Sequence, residues 1–85
     1  MLDEIFEGNL RDKCFDVIFH ANRSVSEVEL ERFFTELVAL RELSAQAGIT
    51  NEQVNSFIYE NTGLMQECLS DVYIELTSSI LSKNE

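Results

Sequence analysis

The sequence predicts an all-α domain, a small helical bundle of four helices, and three observations carry that prediction. The 85 residues include no proline and only three glycines. That composition suits helices joined by short turns and argues against a strand sandwich with its many turn residues. Apolar residues recur at steps of three and four along most of the chain, the period of a helix face rather than a strand. Two stretches, Ser26 to Glu29 and Thr50 to Gln53, carry the capping-box pattern that opens a helix. At this length the chain, residues 1–85, is a single domain with a small core. Its 45% hydrophobic content is ordinary for a globular protein and argues against disorder.

The first helix is expected over Leu2 to Asn22. Leu2, Phe6, Leu10, Cys14, Val17, Ile18 and Ala21 form its apolar stripe, widened by Ile5, Phe15 and Phe19. Gly8-Asn9 loosens it, and Asn9 is an alternative cap for a shorter helix that starts at Leu10. Glu7 and Arg11 form a correctly oriented i,i+4 pair. Asn22-Arg23-Ser24 reads as the turn into the next element.

The second helix, within Ser24 to Gly48, carries the fullest set of local signals. Ser26 is expected to cap it, with Glu29 closing the capping box and Val25 stapled onto Leu30. Leu30, Phe33, Phe34, Leu37, Leu40 and Ala47 keep helical spacing with Leu43 beside them, and Gly48 occupies the C′ position.

The third helix starts near Asn51, because Thr50 and Gln53 form a second capping box and Ile49 can staple onto Val54. Its end is less plain. Asn61-Thr62-Gly63 has turn character, yet Val54, Ile58, Asn61, Met65, Cys68, Val72, Leu76 and Ile80 keep helical spacing through it. A single helix from Asn51 to Ser82 would run about 48 Å and overhang the others by roughly 18 Å. The overhang favours a break at Gly63 and a fourth helix. The alternative is three helices with a long C-terminal helix, dimeric through its uncovered stripe.

The formal charge of −10, from sixteen acids and six bases, disfavours nucleic acid and anionic membrane surfaces as partners. It favours rapid, salt-sensitive association with a basic protein. Solubility alone is the plainer reading of the same acidity. The N-terminal MLDEIFEGN has no basic region followed by an apolar one, and no apolar run approaches the ~20 residues of a membrane span. Cys14 and Cys68 both fall on apolar stripes, which reads as reduced core thiols. A cytoplasmic location, in a bacterium or its phage, is therefore expected.

Catalytic patterns are scarce. His20 is the single histidine, with Asp16 one helical turn before it. A carboxylate-oriented base or ligand is one reading, and a surface pair near a helix C-terminus is the plainer one. There is no CxxC, HExxH, GxSxG or glycine-rich phosphate loop. A di-iron carboxylate bundle needs Glu-x-x-His on two helices, which one histidine cannot supply. No enzyme activity and no cofactor are expected.

The charge map carries the functional expectation. From Glu42 to Ser82 there is no Lys, Arg or His, while Glu42, Glu52, Glu60, Glu67, Asp71 and Glu75 are all acidic. Glu67, Asp71 and Glu75 are four apart, so they form one ridge on one helix face, although like charges at that spacing slightly destabilise a helix. The first half interleaves its charges, as in Glu29-Arg32-Glu36. Tyr59 and Tyr73 flank apolar stripes, at the edge either of a core or of an interface. Glu60, Glu67, Asp71, Glu75, Tyr59 and Tyr73 are thus the candidate partner-binding residues. A solvated acidic face is the competing reading of the ridge.

Two segments, IFHANRSVSEVELERFFTEL and NSFIYENTG, have a layout that resembles the immunity proteins of nuclease bacteriocins. These are acidic four-helix domains that neutralise a basic nuclease. The first segment resembles that family's junction of helices one and two, and the second its short third helix, commonly SDLIYYP followed by a glycine-containing loop. Ile58 and Tyr59 match the core of that motif, whereas Glu60 stands for its second tyrosine and Asn61 for its proline. The family's N-terminal extension and basic C-terminal tail have no counterpart. The resemblance covers about half the chain and implies that Glu27, Glu29, Glu31 and Tyr59 face a nuclease.

The expected function is that of a non-enzymatic protein-binding module docking an acidic helical face on a basic protein, in an inhibitor, immunity or antitoxin role. The alternative is a homo-oligomeric adaptor or structural protein, a homodimer associating through the apolar face of its C-terminal helix. Salt separates the two, since an electrostatic complex weakens with ionic strength and an apolar one does not.

Overall fold

A computed structural model describes residues 10–84, and among them every element is helical. The order is α1 (Leu10–His20), α2 (Arg23–Gln46), α3 (Asn51–Glu60) and α4 (Thr62–Lys83). The four-helix expectation holds and the long-helix alternative does not. Leu2 to Asn9, with the Glu7–Arg11 pair, lie outside the described residues. α1 ends at His20, two residues before the expected limit.

The second helix begins earlier than the capping box implies. Asn22, not Ser26, is its N-cap, and Asn22 Oδ1 accepts from the backbone N–H of Ser24 at 3.0 Å. Ser26 and Glu29 lie inside the helix and are buried. Ser26 Oγ instead donates to the Ile18 carbonyl at 2.8 Å, fastening α2 to α1. Asn and Ser cap about equally well, so tertiary demand chose between them. At the other end Gly48 has φ +81°, the left-handed conformation expected at C′. The Thr50–Gln53 capping box forms as expected, with Thr50 Oγ1 accepting from Gln53 N–H at 3.1 Å and Gln53 Oε1 accepting from Thr50 N–H at 2.8 Å.

The break between α3 and α4 falls at Asn61, with φ −127° and ψ 45°. Gly63 is not the breaking residue. It sits in the first turn of α4 without positive φ, and a Cβ placed on it would meet nothing within 4 Å. Asn61 makes the corner itself, its side chain Nδ2 donating to the Phe57 carbonyl at 2.9 Å. A short polar residue that bonds the preceding turn stops a helix without glycine.

Cys14, Leu76 and Ile80 are the buried apolar core, surrounded by Val17, Ile18, Ala21, Val25, Leu30, Phe33 and Tyr73. Cys14 is the buried thiol expected, but Cys68 is exposed, with nothing among the described residues covering its side of α4. The start of α1 and the start of α4 share a depression lined by Arg11, Gly63 and Tyr73, and their ends meet where Asn84 Oδ1 accepts from Asn22 N–H at 2.7 Å. α1 and α4 therefore run parallel. α2 runs against α4, as Glu29 pairs with Lys83 and Arg32 reaches Ser79. All three helices meet at that end alone. The molecule is a flat frame of 43 × 33 × 15 Å with a radius of gyration of 15.1 Å, where a compact chain of this length has about 12 Å.

Candidate functional site

The antiparallel register of α2 and α4 is set by Lys83 Nζ on Glu29 Oε2 at 2.8 Å and by Arg32 on Ser79 Oγ at 3.4 Å. Two straight helices continuing in that register would place Leu40 opposite Val72. They splay apart instead. Leu40 is 56% and Val72 39% exposed, whereas Leu76 further along α4 is 7% exposed. α3 bridges the wide end. Between it and the second half of α2 lies an open groove of about 800 Å³, whose apolar walls are Leu37, Leu40, Ile49, Val54 and Ile58, with Arg41 its one charged group.

Eighteen large hydrophobic side chains are exposed among the described residues, against three buried apolar ones. Leu37, Leu40, Leu43, Val54, Ile58, Leu69 and Val72 are in that exposed set and belong to the elements of the wide end. Sequence reasoning read the α2 stripe as core, because periodicity shows which face is apolar but not whether the chain covers it.

The acidic ridge is present as expected. Glu67, Asp71 and Glu75 are all exposed. At 100° per residue Asp71 lies on the opposite side of α4 from Ile80. The ridge and the apolar face are therefore different surfaces. Glu60 ends α3 and is exposed, and Tyr59 is 87% exposed but does not line the groove. Tyr73 is half-buried, its ring 6.5 Å from that of Phe15, and belongs to the core edge rather than to the ridge. Glu29 is 1% exposed and held by Lys83 and Arg32, so of the four residues the immunity-protein resemblance points to, it is not available to a partner. Glu27, Glu31 and Tyr59 are exposed.

His20 is exposed at the end of α1, and its Nδ1 donates to the Asp16 backbone carbonyl at 2.8 Å rather than to the Asp16 carboxylate. Among the described residues no group of three His, Cys, Asp or Glu side chains is placed to hold a metal. No helix among them is long and apolar enough to cross a membrane. Among the described residues the carboxyl whose pKa is displaced is that of Glu29. Its carboxyl is held below its ordinary pKa by the hydrogen bond from Lys83, against the opposing effect of burial, with the charges of Lys83 and Arg32 adding to the lowering.

These features define a small all-α protein of four helices that carries an open apolar face and an acidic ridge. The chain belongs to the family described as a domain of unknown function, DUF2018, whose model matches residues 6–85. It is similar to the solved structure of the hypothetical protein Cj0539 from Campylobacter jejuni. The two are 33% identical, the match covers 89% of this chain and 95% of that one, and the TM-score is 0.84. No curated protein matches the chain at a significant level.

Proposed function

We propose that this protein is a non-enzymatic protein-interaction module whose working surface is the apolar face that the described residues leave exposed at the wide end of the frame. The exposure of Leu37, Leu40, Leu69 and Val72 carries this reading, since each continues a stripe that is covered elsewhere on its own helix. Contiguous apolar surface of this extent on a folded chain marks a site of association. It favours apolar association over electrostatic docking as the principal role.

A second reading keeps the acidic ridge as a docking surface for a basic protein, in the inhibitor or antitoxin sense. Its support is that Glu67, Asp71 and Glu75 are exposed together on the side of α4 away from the core. The two readings concern different faces and can be tested in one experiment. A photo-crosslinking residue is placed at Leu40, or separately at Asp71, and irradiated in the native cell. The apolar-face reading expects a protein adduct from Leu40 and none from Asp71. An adduct from Asp71 alone transfers the function to the ridge, and no protein adduct from either position refutes both.

A further inference from the structure

We infer that Asp16 and Phe19, on the outer side of α1 toward the narrow end of the frame, form a binding site for a guanidinium group, the side chain of an arginine carried by a partner protein. At 100° per residue both lie on the side of α1 away from buried Cys14. The site is separate from the apolar face and from the acidic ridge, and it goes beyond both readings above.

The chain builds such a site twice with its own arginines. The Arg11 guanidinium lies 4.7 Å from the centroid of the Phe15 ring, and its Nη1 is 3.4 Å from Asp12 Oδ1. On α2 the Arg32 guanidinium lies 5.0 Å from the centroid of the Phe33 ring, and its Nη2 is 3.3 Å from Glu29 Oε1. In each case an aromatic face and a carboxylate hold one planar cation together. The ring attracts it through its quadrupole, and the carboxylate accepts a charge-assisted hydrogen bond.

A third ring and carboxylate repeat the first pair one helical turn on. Phe19 follows Phe15 by four positions, and Asp16 follows Asp12 by four. Each is therefore moved about 6 Å along α1 and turned by about 40° from its counterpart. The Phe15 and Phe19 rings are stacked, with centroids 6.3 Å apart and planes at 20°. This copy has no cation of its own. Phe19 is 75% exposed. Among the described residues, cations lie over Phe15 and Phe33 but none over Phe19, and the Asp16 carboxylate joins no ion pair. Lys13 and His20 line a cleft with Asp16, yet His20 Nδ1 bonds its backbone carbonyl rather than its carboxylate. Arg23, four positions beyond Phe19, is taken by Glu27 at 3.6 Å.

Charge and shape decide the ligand. A chain at −10 attracts cations and repels anions. A ring exposed beside a carboxylate favours arginine over lysine, because a guanidinium is planar, stacks on aromatic faces and is weakly hydrated, whereas an ammonium is compact and strongly hydrated. A neutral apolar partner covering Phe19 would desolvate Asp16 without pairing it. One exposed ion pair gains little by itself, so the arginine is one presented by a protein surface, where neighbouring contacts raise its effective concentration.

The experiment uses the full purified chain, isotope-labelled and followed by NMR at low ionic strength. The probe is an end-capped peptide of alternating glycine and arginine with three arginines, compared with its lysine and citrulline counterparts. The arginine peptide is expected to shift the signals of Asp16 and Phe19 saturably and to show contacts from its side-chain methylenes to the Phe19 ring. The lysine peptide is expected to bind several-fold more weakly, and the citrulline peptide, planar but uncharged, not to bind. Phe19→Leu and Asp16→Asn alter exposed side chains and should keep the wild-type circular dichroism. Each is expected to weaken the arginine peptide several-fold. Asp71→Asn on the ridge makes the same charge change and is expected to leave binding nearly as in wild type.

Equal weakening by Asp16→Asn and Asp71→Asn means that the peptide follows the overall field of the chain, and overturns the site. Arginine and lysine peptides that bind alike, with Phe19→Leu unchanged, overturn the role of the ring and the inference with it. Shifts centred on Glu31 and Phe34, a carboxylate and ring at the same spacing on α2, overturn the assignment to α1. The absence of any saturable shift overturns it too. None of these outcomes touches the apolar-face reading, which the photo-crosslink at Leu40 tests separately.

Discussion

Lys83 Nζ lies 2.8 Å from Oε2 of Glu29, across 54 positions of sequence, and Glu29 is 1% exposed. The last helical residue of α4 thereby closes a carboxylate into the narrow end of the frame. Oε1 of the same carboxylate accepts from Arg32 at 3.3 Å, so both oxygens are satisfied. A buried carboxylate lacking such partners would be strongly destabilising, so the pair sets where α2 and α4 cross.

The Glu29 carboxyl should make stability depend on acid pH. Its pKa is lowered in the fold, chiefly by the hydrogen bond from Lys83. A carboxyl of that kind contributes stability above its unfolded pKa, and the contribution is lost as pH falls through the folded one. Thermal melts of the wild type should therefore fall through the acid carboxylate range, and Glu29→Gln should flatten that fall. Lys83→Met should lower the melting temperature more at neutral than at acid pH. An acid slope unchanged in Glu29→Gln would refute the assignment.

The two described glycines should respond to alanine in opposite directions. Gly48 has φ +81°, where a Cβ is strained by about 1–2 kcal/mol, so Gly48→Ala should destabilise. Gly63 is helical with open space around it, and Gly63→Ala should stabilise by up to about 1 kcal/mol. Chemical denaturation of both variants gives the comparison. Destabilisation by Gly63→Ala would place the corner at Gly63 rather than at Asn61.

Ile80 is fully buried between Cys14 and Leu76 in a core of three. Ile80→Ala should cost about 2–5 kcal/mol, a large share of the total for a chain this small. Circular dichroism should show the variant much less stable than wild type. A loss below that of a surface change such as Ser78→Ala would mean that this contact does not hold the helices together.

The ridge should be a mild liability for the fold. Changing Glu67 and Glu75 together to lysine turns two repulsions with Asp71 into attractions, each interaction of the order of a few tenths of a kcal/mol. The double variant should melt slightly higher and keep its helical content, because it changes only the side of α4 away from the core. If the ridge docks a basic protein, the same variant should lose association most at low ionic strength.

The sequence by itself determined the helical class, favoured four helices over three, and placed the end of α2 at Gly48 and the start of α3 at Thr50. Local chemistry was enough there: the Thr50–Gln53 box, the left-handed Gly48, and the step of three and four along every stripe. Local rules failed where two residues could do the same job. Asn22 took the cap from Ser26 because Ser26 was needed against Ile18, and Asn61 made the corner beside Gly63. The acidic ridge was legible because charge order and helix period suffice to place it. The apolar face was not. Periodicity reports Leu37 and Leu40 as one face with Leu30 and Phe33, and it contains no information about what lies opposite. Only the tertiary arrangement, with α2 and α4 held at Glu29–Lys83 and parted beyond Phe33, decided that half of that face lacks a cover among the described residues. Burial depends on contacts between residues distant in sequence, and no local pattern encodes the angle at which two helices cross.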